Sequence, residues 1–416
     1  MTHIGLTPGA FDPNTAETDL AFPLAEYQHR IEKLREQGAE NQIDLLWITT
    51  PDAVCWMHGF LASWYKANAP MRYPQCYGTA LHVESGRFVH FDNPSELAVM
   101  TVTSISTDNR WLPDRDAAPN IEFIMRELGA LGWLGGTVGM EFWSYVPNRA
   151  ISTMFEGAFL SRGCKIVDSS AAVRRARRVK SALEIECIER ATAICDIGHR
   201  TISDKLEPGM TELELFGEVT SAMMTAGGEF PALIPIFNSS PVIDGTMQIT
   251  GHSMARRKPI QKGHMLTTDL CGVYNRYHGN VLRGYYIGDD PPAKAVTQYE
   301  KAAGVFEVIK SDVKAGMTVR EVNTRLRRYY EDVGIWNEKE GWALGYELGL
   351  SFPPDWVGDF YFHLGDDRWL DRVFEENMVT NFESLFSTAL IDMLVYGQDG
   401  TRVLSDIPLE LLVVPC

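Results

Sequence analysis

Four stretches of this chain concentrate side chains able to move protons or hold charge. Segment 269–283 carries Asp269, Tyr274, His278, Asn280 and Arg283. Segment 345–356 carries Tyr346 and Glu347 and ends in Pro353-Pro354-Asp355-Trp356. Glu383 stands in Asn381-Phe382-Glu383-Ser384, and His252 lies ten residues before Lys262-Gly263. An imidazole of ordinary pKa, about 6.5, takes a proton from water and returns it to a leaving nitrogen near neutral pH. Carboxylates hold a cation through charge-assisted hydrogen bonds, and aromatic faces such as those of Tyr274, Tyr346 and Trp356 add about 0.5–2 kcal/mol each. Taken alone, His252 among Ser253, Arg256 and Arg257 reads as an exposed loop histidine. His278 reads equally as a second proton carrier or as a hydrogen-bonded structural residue.

These residues need a scaffold, and the hydrophobic pattern predicts one. Leu24, Tyr27, Ile31 and Leu34 recur at helical spacing, and residues 43–49, with Leu45 to Ile48 apolar, read as a buried strand. Residues 79–91 predict a hairpin turning at Glu84-Ser85-Gly86. A helix near 120–131, a strand near 138–142, another helix and a strand at 165–167 follow, an alternation that predicts an α/β domain. The arginine-rich stretch 173–180 then leads into a long helical pattern. It reads as a solvated surface and as the boundary between domains 1–175 and 176–416.

The second domain contains an echo. Gly209-Met210-Thr211 and Gly316-Met317-Thr318 each open a Thr-x-x-Glu capping box, completed by Glu214 and Glu321, and each follows a helical segment, 181–206 and 297–313. A helix–turn–helix unit used twice predicts an internal pseudo-twofold repeat.

Bulk composition narrows the function classes. A chain of 416 residues with 45% hydrophobic and 22% charged residues is globular and long enough for two domains. The net charge of −17 argues against nucleic acid or an anionic membrane as partner. Seven scattered cysteines without a CxxC pair, no spanning apolar run and no leader-like start predict a cytoplasmic protein with reduced thiols.

Segment 269–283, together with the approach Val179-Lys180-Ser181 and Glu184-Ile185, resembles the creatinase/aminopeptidase P-like "pita-bread" family. The resemblance implies an N-terminal creatinase-like α/β domain followed by a pita-bread catalytic domain, α/β (α+β) in class. Metal-dependent members hold two metal ions with two Asp, a His and two Glu. Those positions fall here on Asp269, Asn280, Tyr346, Glu383 and Ile391. Amide, phenol and hydrocarbon cannot offset the charge of two divalent cations, so the expectation is a branch with no metal and no other cofactor. Creatinase works without metal through a histidine, matched here by His252.

Within that branch, 274–278 with Arg283, 345–356 with its Pro-Pro-Asp-Trp, and Phe230-Pro231 through Pro235 resemble ectoine hydrolases, whereas Glu383 is more like creatinase. The resemblance implies hydrolysis of an amidine- or guanidino-type C–N bond in a small zwitterion. His252 is the general acid/base, with Glu383 and His278 as further catalytic candidates. Asp269, Tyr274, Arg283, Tyr346, Glu347 and Trp356 are the expected substrate-binding residues. It also implies a homodimer in which Trp64, Tyr65, Arg72 and Gln75 reach the other subunit's site, Arg72 meeting the substrate carboxylate. The competing expectations are a metal-dependent enzyme of the same fold, either a dimethylsulfoniopropionate lyase or an Xaa-Pro peptidase, and a binding module without catalysis.

Overall fold

The computed structural model of the protein describes residues 12–13, 15–62, 74–247, 251–336 and 342–416. The chain divides into two compact units, Met1–Arg177 and Arg178–Cys416.

In the first unit the elements run α1 (Leu24–Glu40), β1 (Leu45–Ile48), α2 (Pro51–His58), β2 (Gly78–His82), β3 (Phe88–Asp92), α3 (Leu97–Thr103), β4 (Asn109–Trp111), α4 (Ala117–Ala130), β5 (Thr137–Met140), α5 (Arg149–Leu160), β6 (Lys165–Asp168) and α6 (Ser170–Ala176). They form a six-stranded sheet in the order β4-β3-β2-β1-β5-β6. The anticipated hairpin is β2–β3, with Thr79 opposite His90. All four residues of β1 are buried, as expected of a strand covered on both faces. On one face Trp47 packs among Phe91, Phe155 and Phe159, while α1 brings Gly38 against Leu46 and Val83 on the other.

The second unit opens with α7 (Ala182–Lys205) and α8 (Glu212–Thr225), then β7 (Ile236–Ile243), β8 (Thr246–Met247), β9 (His264–Tyr274) and β10 (Tyr277–Ile287). Three more helices follow, α9 (Ala293–Ala303), α10 (Val305–Asp312) and α11 (Val319–Asp332). The last strands are β11 (Trp342–Tyr346), β12 (Tyr361–His363), β13 (Val379–Leu385), β14 (Ala389–Tyr396), β15 (Thr401–Val403) and β16 (Leu412–Val414). The main sheet runs β12-β11-β13-β14-β10-β9-β7-β8, with β15 on β14 and β16 on β10. Read from its centre, between β14 and β10, this order is the same outward in both directions.

The helical echo repeats down to single hydrogen bonds. Gly209 N donates to Ile260 O and Gly316 N to Phe374 O, both at 2.8 Å. Glu212 N donates to Lys258 O at 3.0 Å and Val319 N to Arg372 O at 2.8 Å, while Leu213 N and Arg320 N bond Arg256 O and Leu370 O in the same way. Both capping boxes are closed by reciprocal bonds, Thr211 with Glu214 and Thr318 with Glu321. Each half buries its own core beneath its helices. Ile194, Leu215, Phe237, Leu270 and Val281 pack together in the first half, and Phe306, Val322, Phe362, Phe382 and Leu394 in the second.

The β9–β10 hairpin lies hard against α7. A β-carbon on Gly272 would stand 2.0 Å from Ala191 O, and one on Gly279 would stand 2.6 Å from Thr192 N. These facing glycines, paired in register, let backbone meet backbone.

Candidate active site

Strand alternation decides which side chains meet. Asp269 on β9 is opposite Leu282 on β10, Leu282 is opposite Ile391 on β14, and Ile391 is opposite Glu383 on β13. Residues directly opposite one another point the same way, so these four form one row across the middle of the sheet. Their neighbours Leu270, Val281 and Phe382 turn into the cores under the helices. Asn280 and Asn381 lie two residues from members of the row and share its face. So does Tyr346, two residues beyond Leu344, which is opposite Glu383.

On that face the polar side chains join into one chain of hydrogen bonds. Its direction is set by a group that can only donate, the backbone N–H of Tyr346, which bonds Asn381 Oδ1 at 3.0 Å. Asn381 Nδ2 must therefore point the other way, and it donates to both Asn280 Oδ1 and Glu383 Oε1 at 3.0 Å. Asn280 in turn presents Nδ2 to Asp269 Oδ1. At the far end the Tyr346 hydroxyl bonds Glu383 and accepts from Trp356 Nε1 at 3.1 Å. Two carboxyl groups are thus tied together by two amides and flanked by aromatic rings.

The electrostatics are tense. Asp269, Tyr346 and Glu383 keep a solvent-accessible edge, but protein encloses them on most sides. Burial, added to the charge of Glu383, pushes the Asp269 carboxyl up to about 8 against the hydrogen bond from Asn280. Burial also raises Glu383, and the bonds from Tyr346 and Asn381 and the charge of His252 pull back. His252 is exposed, yet close enough to Glu383 for its charge to be felt there. Its loop docks on β7 through Phe237 N, which donates to Ser253 O at 2.8 Å, and Phe237 neighbours Ile236, the residue opposite Asp269.

Of the residues singled out in the sequence, Asp269, Asn280, Tyr346, Trp356 and Glu383 are brought together, with His252 beside them. Others are placed elsewhere. Arg283 is fully buried on the opposite face. Its guanidinium is spent on Asp392 at 2.6 Å and on the carbonyls of Pro408, Ile391 and Ile407, so it is a structural clamp rather than a substrate ligand. Tyr274, five residues from Asp269, also turns to the helix face, where its hydroxyl accepts from Arg190 on α7 at 2.8 Å.

Glu347 is buried and committed. One oxygen takes the ammonium of Lys180 and the other the backbone N–H groups of Asp359 and Phe360. It therefore has no oxygen to offer a substrate cation. His278 is on the site face, edge-on to Trp356 with ring centroids 5.2 Å apart. Its Nε2 accepts from Ala232 N at 2.9 Å, and burial drives its pKa down to about 3, so near neutral pH it is a fixed acceptor and not a proton carrier. Gln75 is buried and accepts from Asn148 N at 2.7 Å, and Trp64, Tyr65 and Arg72 lie outside the described residues. Sequence reasoning missed Asn381 as the hub, although its position two residues before Glu383 on a strand was the available signal.

The donor set does not fit a pair of divalent ions. Of the five positions that the resemblance assigns to metal ligands, only Asp269 and Glu383 supply carboxylates. The amides of Asn280 and Asn381 fill the gap between them, and Ile391 is hydrocarbon. Among the described residues no group of three or more His, Cys, Asp or Glu is arranged to hold a metal ion. Among them, too, no helix is long and apolar enough to cross a membrane.

Comparison with known proteins fits this frame. Residues 30–179 match the Creatinase/Prolidase N-terminal domain, and residues 186–403 match metallopeptidase family M24. The chain is 23% identical to the ectoine hydrolase of Halomonas elongata over 417 positions, covering 95% of this chain and 99% of that protein. It is 26% identical to the Xaa-Pro dipeptidase of Pyrococcus horikoshii over 282 positions, 66% of this chain and 75% of that one. In fold it is similar to the Xaa-Pro dipeptidase from Bacillus anthracis, with a TM-score of 0.73 at 20% identity over 93% of this chain and 99% of that one. With more than half of its length matched by the catalytic-domain family and the preceding domain matched as well, the chain belongs to metallopeptidase family M24 with a creatinase/prolidase-type N-terminal domain.

Proposed function

We propose that the protein is a hydrolase that opens a C–N bond at an amidinium-type carbon of a small zwitterion, in the manner of an ectoine hydrolase, without a metal ion. The observation that carries this reading is the amide bridge Asn280–Asn381 between Asp269 and Glu383, where a cation pair would need charged oxygens. The long alignment with the Halomonas elongata ectoine hydrolase supports the choice of substrate class.

In the proposed reaction the substrate cation donates its N–H groups to Glu383 and Asp269 and lies against Tyr346 and Trp356. A cation between the two carboxyl groups offsets the burial and the Glu383 charge that raise Asp269, so both ionise on binding. His252 takes a proton from water as the water oxygen bonds to the amidinium carbon, giving a tetrahedral intermediate. The imidazolium then returns that proton to one nitrogen, the C–N bond to it breaks, and the hydroxyl proton of the intermediate passes through His252 to the freed amine, leaving an amide and an ammonium group. General acid–base catalysis of this kind contributes about 10²–10⁴-fold.

The test is turnover of ectoine, hydroxyectoine, creatine and related zwitterions by wild type and by His252→Ala, before and after dialysis against a chelator. The expected outcome is a loss of about 10²–10⁴-fold in kcat for His252→Ala with binding preserved, and wild-type activity indifferent to the chelator. Full turnover by His252→Ala would overturn the role of the imidazole. Activity lost to the chelator and restored by a divalent cation, with Xaa-Pro dipeptides as substrates, would make the protein a metal-dependent peptidase.

A further inference from the structure

The two halves of the second unit repeat the same backbone contacts at the start of α8 and α11, and one side chain breaks the repeat. The first residue of α11 is Val319, buried in the core; the first residue of α8 is Glu212, buried completely. A carboxylate out of water is costly unless its oxygens are met by several charge-assisted bonds. Glu212 has them. Oε1 accepts from Ser239 N and Ser239 Oγ, both at 2.8 Å, and Oε2 accepts from Arg256 N at 3.1 Å, with the Arg256 guanidinium at 3.5 Å. The first turn of a helix also favours a negative charge.

These partners define what the carboxylate holds together. Ser239 lies on β7, three residues from Ile236, the residue opposite Asp269. Arg256 closes the short loop that carries His252, and Ser253 in the same loop accepts from Phe237 N on β7. Lys258, on the far side of Arg256, donates its ammonium to Ser239 O. In the other half the corresponding segment, which ends at Phe374, keeps the shared backbone bonds and is tied at its surface by Arg320–Asp371 and Arg372–Asp359, while Val319 at the helix start offers only hydrocarbon. The clamp therefore belongs to the loop with the imidazole.

We infer that Glu212 is a positioning residue, which fixes the His252 loop to β7 and so holds the imidazole in register with Asp269 and Glu383. This rests on the acid/base role proposed for His252. Glutamine is a sharp probe because each carboxylate oxygen accepts a backbone N–H. Whichever way the amide turns, its NH2 faces a donor, so one of the two anchors is lost at constant size.

The experiment compares Glu212→Gln, Glu212→Asp, His252→Ala and the double variant Glu212→Gln/His252→Ala on a turned-over zwitterion, with free imidazole added to the variants lacking the histidine. A displacement of about 1 Å in a catalytic group costs up to about 100-fold, so Glu212→Gln should lower kcat by about 10–100-fold with KM unchanged, because the cation is held by the sheet. In the His252→Ala background, with or without imidazole, the same substitution should cost nothing further. Glu212→Asp keeps the charge but draws it back by one methylene and should fall between, and it carries the test by the same criteria if the glutamine variant does not fold. Wild-type kcat in the folded Glu212 variants, or an equal loss with and without His252, would overturn the inference. Full activity in His252→Ala would instead overturn the reading on which it rests, so the two failures are distinguishable.

Discussion

The two halves of the C-terminal unit have one plan and different duties. Both lay helices over four strands, enter a helix through Gly-Met-Thr and close the same capping box. The row across the sheet places Asp269 in one half and Glu383 in the other, at matching distances from the centre. The likeness ends at the ends of the strands. One half contributes the His252 loop and the buried Glu212 that clamps it. The other contributes Tyr346, Trp356 and the amide hub Asn381. The repeat thus supplies the frame and the paired acids, and the side chains around them come from places where the two copies disagree.

Substitutions in each half test how alike the two are. The largest effect is expected where the halves are joined. Arg283 and Asp392 pair with no exposure on the face away from the site, next to the central Leu282 and Ile391. Asp392→Ala leaves a buried guanidinium without its counter-charge and should cost about 3–5 kcal/mol in urea unfolding. A cost below about 1 kcal/mol would mean that the halves are joined by packing alone.

A second effect, dependent on pH, is expected at Asp269. Its folded pKa of about 8 is above the ordinary 3.8, so the native state holds the extra proton between those values. This contribution makes stability fall as pH rises from about 4 through about 8. Asp269→Asn is neutral throughout and lacks that fall. Its melting temperature should match wild type near pH 4 and exceed it increasingly toward pH 8, and parallel curves would refute the raised pKa. The smallest effects are expected at the two caps. Thr211→Ala and Thr318→Ala should each cost about 1 kcal/mol, equally in both halves, when read by chemical unfolding.

Much of this was legible in the sequence because its signals are local. The hairpin at 79–91, the long helix after Lys180 and both capping boxes follow from patterns a few residues long. The sides of the site were partly legible too. Arg283 is three residues from Asn280 and Tyr274 five from Asp269, odd separations that put them on the opposite face of a strand. That alternation was enough to remove both from the substrate-binding set. Pairings across long separations were not legible. Nothing local joins Lys180 to Glu347, or Asn381 to Asn280, because those meetings depend on the register of strands far apart in the chain. Glu212 stood in plain view as the first difference between two Gly-Met-Thr segments, and only its burial gives that difference meaning.

The central row has a further consequence for anyone reshaping this protein. Within the row itself, Leu282 and Ile391, the pair at the midline of the sheet, lie between the two acids, alongside the Asn280–Asn381 amide bridge. Strands are spaced about 4.8 Å apart, so three steps set the backbones of the two acids about 14 Å apart along the sheet, while the amides of Asn280 and Asn381 link their carboxyl groups. In the proposed reaction the bulk of these two apolar side chains would set how deep a substrate settles. Trimming or enlarging those two residues is thus the route to a different size of guest, since it alters the floor and leaves both acidic rims in place.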